Sequence, residues 1–242
     1  MESRRPWLEP AKAWRPVATY TLLGTMAGVY VLQLLTVDAA GSNTWGLGRA
    51  FLWHGLPHHV PDFLFIINTD WMWRPWTLAT STLSHDFADA NHLLFNGLFL
   101  FFFGPAVEHI LGRLRYVVLF FVAGAASGVV QVHAVAFDAS HDPLLFIPNG
   151  GALGASGALM ALFGVLMVVT PMQKVSLFFV LPVPLWAAGI GYAALDLLGV
   201  VSPPAGGNIG HFAHLSGMAI GLGYGAWVKA DWKRRGLRLV YQ

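Results

Sequence analysis

Two side chains that could act together in catalysis lie among small residues in apolar segments of this sequence. Ser156 follows the glycine-rich run 150–155, and His214 lies within the segment 210–217. A serine hydroxyl is a weak nucleophile near neutral pH and needs an adjacent base, for which histidine is the usual residue. A lone serine in an apolar helix is ordinarily a packing residue, whereas a histidine at membrane depth is more often functional. Together the two residues predict a hydrolase built inside a membrane.

A second polar pair could supply the hydrogen-bond donors that this chemistry needs. His92 and Asn96 are four residues apart, so both side chains lie on one face of a helix. One donor placed against a tetrahedral oxyanion is worth roughly 10²–10³ in rate. The alternative is a polar pair that only anchors its helix at the membrane interface, and the residues alone leave both interpretations open.

Composition indicates an integral membrane protein. Of the 242 residues, 56% are hydrophobic and 11% are charged, and mean hydropathy is +0.58. A bilayer core needs about 20 mostly apolar residues per helix. The sequence therefore predicts an all-α polytopic bundle of six transmembrane helices, at residues 17–37, 92–110, 116–137, 151–169, 175–200 and 210–227. A soluble protein with a buried core would rarely repeat such segments six times.

Basic residues fix the predicted orientation. Twelve of the fourteen Lys and Arg residues precede the first span, follow the last, or lie in the two turns on that same side. The positive-inside rule makes that side cytoplasmic, so we expect both termini in the cytoplasm. The expected location is a bacterial inner membrane. Because the positive charge belongs to the membrane face, nucleic acid is not a predicted partner.

The chain is predicted to be a single membrane domain over 1–242, with short cytoplasmic tails at 1–16 and 228–242. The longest segment outside the spans, 38–91, is rich in Trp, Phe and Leu interleaved with Gly and Pro. Such a composition favours a first outer loop that is partly embedded in the membrane. The absence of cysteine excludes disulfides and thiolate metal sites.

Two helices carry stripes of small residues that allow close approach of their backbones. The stripe on the last span consists of Gly217, Gly221 and Gly225, and the stripe on the fourth consists of Gly157, Ala161 and Gly164. Ser156 adjoins one stripe and His214 continues the other. If the stripes face each other, hydroxyl and imidazole meet.

The order of these motifs resembles the rhomboid intramembrane serine proteases, from about residue 73 onward. Each motif alone is weak, but their order and spacing are specific. The motifs are Trp73-Arg74, His92-x-x-x-Asn96, Glu108-x-x-x-Gly112-x-x-x-Tyr116, Gly154-Ala155-Ser156-Gly157 and Gly210-x-x-Ala213-His214-x-x-Gly217.

The resemblance implies a role for each matched residue. Ser156 would be the nucleophile and His214 the base that also protonates the leaving amine. Asn96, His92 and the backbone N–H of Ser156 would form the oxyanion hole. The expected substrates are transmembrane segments of other membrane proteins within the lipid. The protein is expected to need no cofactor and no metal. The family uses a dyad, so no third carboxylate is required.

The remaining polar residues are predicted to be structural. We expect Asp196 to be a carboxylate hydrogen-bonded to neighbouring helices, and Arg74 to bond within the first outer loop. The resemblance pairs Glu108 with Arg113 at the cytoplasmic end of the second span.

Two positions depart from the family pattern. Met160 replaces the aromatic residue that commonly packs on the histidine, and a thioether can pack against an imidazole edge in its place. The segment between His85 and His92 is longer than the family leads us to expect, which leaves the role of His85 open.

Three other functions compete with a protease. An inactive rhomboid-like protein that binds transmembrane clients would typically lose Ser156 or His214, and both are present. A transporter would need polar residues lining a path, which the first, third and fifth spans scarcely offer. A metalloprotease would need a carboxylate-bearing histidine motif, and the loop residues His54, His58 and His59 do not form one.

Overall fold

Helices make up most of the described chain. The computed structural model describes residues 14–35, 51–53, 56–58, 64–86, 89–141, 151–177, 180–201 and 210–236, with only the backbone at 51–53, 56–58, 136–141 and 177. Within these ranges the helices are α1 Val17–Leu35, α2 Thr77–Leu83, α3 Ala90–Leu111, α4 Arg113–His141, α5 Ser156–Val169, α6 Leu185–Val201 and α7 His211–Arg234. Two antiparallel hairpins pair β1 Phe51–Trp53 with β2 Leu56–His58, and β3 Lys174–Leu177 with β4 Leu181–Pro184.

Six of these helices overlap the six predicted spans, and α2 lies in the predicted first outer loop. Within the described residues, three helical segments are long and apolar enough to cross a membrane: Val17–Leu35, Ala90–Leu111 and Arg113–Val135. The helices α5 and α6 are apolar but shorter. The mostly helical architecture is therefore confirmed, whereas the count of six spans stays a prediction.

Two predicted spans begin later than expected. The fifth does not begin at residue 175, because Lys174–Leu177 and Leu181–Pro184 form the paired strands β3 and β4, and α6 starts only at Leu185. Pro182 and Pro184 lack the N–H that a helix interior requires, which explains this correction. The fourth begins at Ser156 and not at 151, since Gly154 has a φ of +119°, a conformation that favours glycine and interrupts a helix.

Helix α5 forms the centre of the molecule. Every residue from Gly157 to Leu166 is buried, and the helix packs against α3, α4, α6 and α7. A helix that is apolar on all sides is either enclosed by protein or in contact with lipid, and here other helices enclose it. Ser156 therefore stands at the start of the most enclosed helix of the described chain.

The stripes of small residues on α5 and α7 face each other, as predicted. A methyl group on Gly217 would overlap the Gly157 carbonyl oxygen, and one on Gly221 would overlap that of Ala161. Farther along, a Cβ on Gly225 would lie 3.0 Å from the Val165 Cα. Only glycine permits this backbone approach, which brings the first turns of both helices together.

Glu108 joins three helices at the opposite end of the bundle. Its carboxylate accepts hydrogen bonds from the Thr19 backbone N–H and hydroxyl, both at 2.8 Å, and from the Ala18 N–H at 3.1 Å. The Arg113 Nε lies 3.6 Å from the same carboxylate, so the predicted pair is confirmed. The main partner of Glu108 is nevertheless the amino terminus of α1, where a negative charge is stabilising.

Residues 64–86 of the first outer loop are anchored to the bundle. The Gln33 side chain exchanges two hydrogen bonds with the backbone of His85, and Ile67 pairs with Ala152. Buried Arg74 forms an ion pair with Asp70, which confirms the predicted bonding within the loop. Large apolar side chains remain exposed here, among them Met72 and Trp73. Embedding of this loop in the membrane stays a prediction.

Candidate functional site

The four predicted site residues line one cavity. Ser156, His214, His92 and Asn96 surround a space of about 500 Å³ at the amino-terminal ends of α5, α7 and α3. The basic residues Arg15, Arg113, Lys229, Lys233 and Arg234 lie at the other ends of the helices. The cavity is therefore at the end of the bundle that the charge pattern predicts to face away from the cytoplasm.

Ser156 is the first residue of α5, and its surroundings follow from the residues before it. The Gly154 N–H donates to the Ser81 carbonyl at 2.9 Å, which fixes the chain just before the helix. Ala155, at the helix N-cap, supplies no side-chain cap. The N–H groups of the first turn of α5 thus have no intrahelical partner, and they carry the positive end of the helix dipole. This is a favourable place for an oxyanion.

The side chains of His92 and Ser156 both lie next to Gly154. A Cβ on Gly154 would lie 2.8 Å from the His92 Nε2 and 4.0 Å from the Ser156 Oγ, so only glycine leaves this space open. The Asp86 backbone N–H donates to the His92 Nδ1 at 3.3 Å. Because Nδ1 accepts, the neutral ring carries its proton on Nε2, on the side of Gly154. His92 is therefore arranged as a donor.

Asn96 is buried one helical turn after His92. Its Nδ2 donates to the His92 carbonyl at 2.9 Å. An amide nitrogen carries two protons, so one N–H is left after this bond. The side chain can therefore be held by its own helix and still donate into the cavity.

His214 is held through its Nδ1 nitrogen. The Tyr192 hydroxyl lies 3.2 Å from this atom and the Asp196 Oδ1 lies 3.1 Å from it. A proton on Nδ1 leaves Nε2 with its lone pair, as a base acting on Ser156 requires. The ring of Tyr192 also lies 5.8 Å from that of His214, centre to centre. An aromatic residue from α6 thus packs on the imidazole, while Met160 is buried in the core; packing of Met160 against His214 stays a prediction.

Asp196 is the residue whose surroundings differ most from the sequence interpretation. Its carboxylate does hydrogen-bond to a neighbouring helix, as predicted, but the partners are two histidines. Oδ1 lies 2.7 Å from the His211 Nδ1 as well as 3.1 Å from the His214 Nδ1. The carboxylate is 4% exposed. It therefore contacts the candidate base directly.

Among the described residues, Asp196, His211 and His214 also form the group that could hold a metal ion. One ligand atom from each of Asp196, His211 and His214 lies within 4.8 Å of the others. Two ligands of a tetrahedral zinc ion, each about 2.0–2.1 Å from the metal, would be about 3.3 Å apart. The His211–Asp196 distance of 2.7 Å is shorter, and both imidazoles approach a single carboxylate oxygen. The geometry favours hydrogen bonds over shared ligation.

His85, whose role the sequence left open, lies behind His92. The two rings are 5.1 Å apart, and the His85 Nδ1 lies 3.2 Å from the Leu83 carbonyl oxygen, to which it donates. Burial, together with the nearby His92, lowers the pKa of His85 to about 3. His85 is thus a neutral packing residue. The side chains of His54, His58 and His59 lie outside the described residues.

Sequence interpretation missed Tyr192 and His211. A signal was present, since Tyr192, Asp196 and Gly199 recur at helical spacing on α6. A Cβ on Gly199 would overlap the His211 ring, so this face packs on the start of α7. The rotation of α6 that turns this face toward His214 is a property of tertiary packing and could not be derived from spacing.

Comparison with known proteins agrees with this architecture. Residues 72–230 match the Rhomboid domain. The chain is 28% identical to Rhomboid protein 1, mitochondrial, of Saccharomyces cerevisiae over 92% of its own length and 60% of that protein. It is 30% identical to RHOMBOID-like protein 12, mitochondrial, of Arabidopsis thaliana over 66% of its own length and 48% of that protein.

A bacterial relative is similar over a comparable share of the chain. The chain is 29% identical to Rhomboid protease GlpG of Haemophilus influenzae, over 62% of this chain and 68% of that protein. The chain thus spans about half to two thirds of the relatives that it matches. The family match covers more than half of the chain, including every residue that lines the cavity. The chain therefore belongs to the rhomboid family of membrane proteins.

Proposed function

We propose that this protein is an intramembrane serine endopeptidase that cleaves transmembrane segments of other membrane proteins. The observation that carries the proposal is the cavity that Ser156, His214, His92 and Asn96 line together. Two of these side chains match the needs of nucleophilic attack, and two match the needs of oxyanion stabilisation.

The reaction begins when the Ser156 Oγ attacks the carbonyl carbon of the scissile peptide bond. The Nε2 of His214 takes the hydroxyl proton, while the carbonyl oxygen becomes an oxyanion. The N–H groups of Ser156, Asn96 and His92 stabilise that charge. Collapse of the intermediate breaks the C–N bond, and His214 returns the proton to the leaving amine.

Hydrolysis of the acyl-enzyme completes the cycle. A water molecule attacks the ester carbon, with His214 again acting as base, and the Ser156 hydroxyl is restored as the new carboxyl group leaves. Water must therefore reach the cavity. Polar side chains at its rim, among them Asp86, Asp89 and Asn91, provide a hydrated entrance.

The membrane limits which substrates fit. A peptide bond within a regular helix is shielded by its own hydrogen bonds, and lipid cannot replace them. Good substrates should therefore carry helix-weakening residues near the cavity end of the bundle, with small side chains at the cleaved bond. Because Ser156 is the first residue of α5, we expect cleavage near one membrane face.

An inactive rhomboid-like protein that binds transmembrane clients is the alternative function. Client binding alone does not require a base whose Nδ1 is held, or a His92 ring oriented as a donor. We therefore favour the enzyme. The deciding experiment mixes the purified protein in liposomes with a single-span model substrate and compares wild type with Ser156→Ala and His214→Ala. Cleavage that survives either substitution would contradict the proposal.

We also propose that 1–242 forms one membrane domain with six spans and both termini in the cytoplasm. The clustering of basic residues at one end of the helices supports this orientation. Relatives named as mitochondrial show that the family is not confined to bacteria. Location in a bacterial inner membrane is therefore proposed here and does not follow from the family. Accessibility of single cysteines placed in strand β3 and at Asn91 would test the orientation, because the chain has no cysteine of its own.

A further inference from the structure

We propose that Asp196 is a positioning residue for His214, so that the catalytic pair works as a triad supported from α6. This inference rests on the proposed function, and it goes beyond the dyad that the sequence implies. It assigns to Asp196 the orientation of the base and the stabilisation of its protonated form.

The contact has the geometry that such a role needs. The Asp196 Oδ1 lies 3.1 Å from the His214 Nδ1 and can only accept when ionised, so the proton of the neutral imidazole stays on Nδ1. Nε2 is then the basic nitrogen. A carboxylate at this position also stabilises the imidazolium that forms when Ser156 loses its proton.

The burial of Asp196 indicates that its carboxylate does more than join α6 to α7. Asp196 is 4% exposed, and its second oxygen, Oδ2, has no hydrogen-bond partner among the described residues. A buried carboxylate that served only to join two helices should satisfy both oxygens. When His214 takes up the proton during the reaction, the imidazolium that forms compensates the negative charge of the Asp196 carboxylate.

Two further residues, His211 and Tyr192, hold Asp196 and His214 in position. His211 donates from Nδ1 to the same Oδ1 at 2.7 Å, and Gly199 leaves the space in which its ring lies. The Tyr192 hydroxyl lies 3.2 Å from the His214 Nδ1. The titratable groups that face His214 are thus Asp196 and Tyr192 from α6, His211 from α7, and His92 from α3.

The test measures cleavage kinetics against pH for the full chain in liposomes, with wild type, Asp196→Asn and His211→Phe. Asparagine keeps the shape of the side chain and removes its charge. We expect Asp196→Asn to lower kcat by roughly 10²–10⁴, the contribution of a well-positioned general base, with little change in KM. We also expect the acid limb of its kcat/KM profile to move, because the imidazolium loses a neighbouring negative charge.

The control separates positioning from structure. If Asp196 only ties α6 to α7 through His211, His211→Phe should reduce kcat as much as Asp196→Asn, and neither should move the acid limb; that result would overturn the proposal. Asp196→Asn with wild-type kcat and pH profile would do the same. If Asp196→Asn does not fold, Asp196→Glu and Asp196→Gln form the corresponding pair, and only the glutamate should retain the pH profile.

Two parallel measurements distinguish the triad from a failure of the proposed function and from a metal site. Cleavage by Ser156→Ala would contradict the proposed function, whereas loss of cleavage in Ser156→Ala with an unaffected Asp196→Asn would contradict this inference alone. EDTA should leave wild-type activity unchanged. Activity that EDTA removes and Zn²⁺ restores would overturn the triad, because the cluster would then hold a metal.

Discussion

Gly217 of α7 lies so close to Gly157 of α5 that a methyl group on Gly217 would overlap the Gly157 carbonyl oxygen. Ser156 immediately precedes one of these glycines, and His214 lies one helical turn before the other. The separation of the two helix backbones therefore sets the separation of hydroxyl and imidazole. The packing of small residues and the proposed chemistry are parts of one arrangement.

Widening the α5–α7 contact should impair catalysis. In Gly221→Ala the added methyl group would overlap the Ala161 carbonyl oxygen, so the helices must separate or tilt. We expect a lower thermal midpoint in detergent and at least a tenfold loss of kcat/KM, about 1.4 kcal/mol. Gly223→Ala is the matched control, because nothing lies within 4 Å of the added carbon. Equal behaviour of the two variants would contradict the close-packing account.

The two oxyanion donors should each contribute to kcat. Asn96→Ala and His92→Ala should lower kcat by roughly 10²–10³, the loss expected for one donor, while substrate binding changes little. Asn91→Ala is the control, since Asn91 lines the same cavity but is exposed at the start of α3. If Asn96→Ala loses no more activity than Asn91→Ala, Asn96 does not act as a donor.

His85 should make stability depend on pH. Its pKa is about 3 in the folded protein and near 6.5 when exposed, so the unfolded state binds the proton first as pH falls. Stability is therefore fully present above about pH 6.5 and decreases toward pH 3, by up to about 1.4 kcal/mol per pH unit. His85→Phe should lose less thermal stability between pH 7 and pH 4 than wild type does.

The control for this effect is a histidine that is exposed in the folded protein. His109→Phe retains an aromatic ring beside Trp14. The thermal stability of this variant should follow the wild-type dependence on pH. If His85→Phe also followed the wild-type curve, the buried neutral state of His85 would be contradicted.

Glu108 should matter for stability and not for the chemical step. Glu108→Ala leaves the Ala18 and Thr19 donors at the start of α1 without their acceptor, and each unpaired buried group costs about 1–3 kcal/mol. Arg113→Ala should cost at most about 1 kcal/mol, because Arg113 is largely exposed. Thermal midpoints in detergent measure both. A larger loss in Arg113→Ala would show that the ion pair, and not the cap on α1, carries the stabilisation.

The helices and the four cavity residues could be predicted because their signals are local. Long apolar runs indicate helices, and stripes such as Gly217 and Gly221 indicate which helix faces meet. The start of α6 was predicted wrongly, because an apolar segment interrupted by Pro182 and Pro184 keeps its hydropathy while losing its helix. The contact between Asp196 and His214 depends on how α6 is rotated, which only tertiary packing determines.

The most direct test of the account is covalent labelling of Ser156 with a fluorophosphonate probe. The protein in liposomes is treated with the probe, digested, and analysed by mass spectrometry to locate the adduct, with His214→Ala in parallel. The account predicts a single adduct on Ser156 in the wild type and its loss in His214→Ala. Labelling at another serine, or equal labelling of Ser156 without His214, would contradict Ser156 as a nucleophile activated by His214.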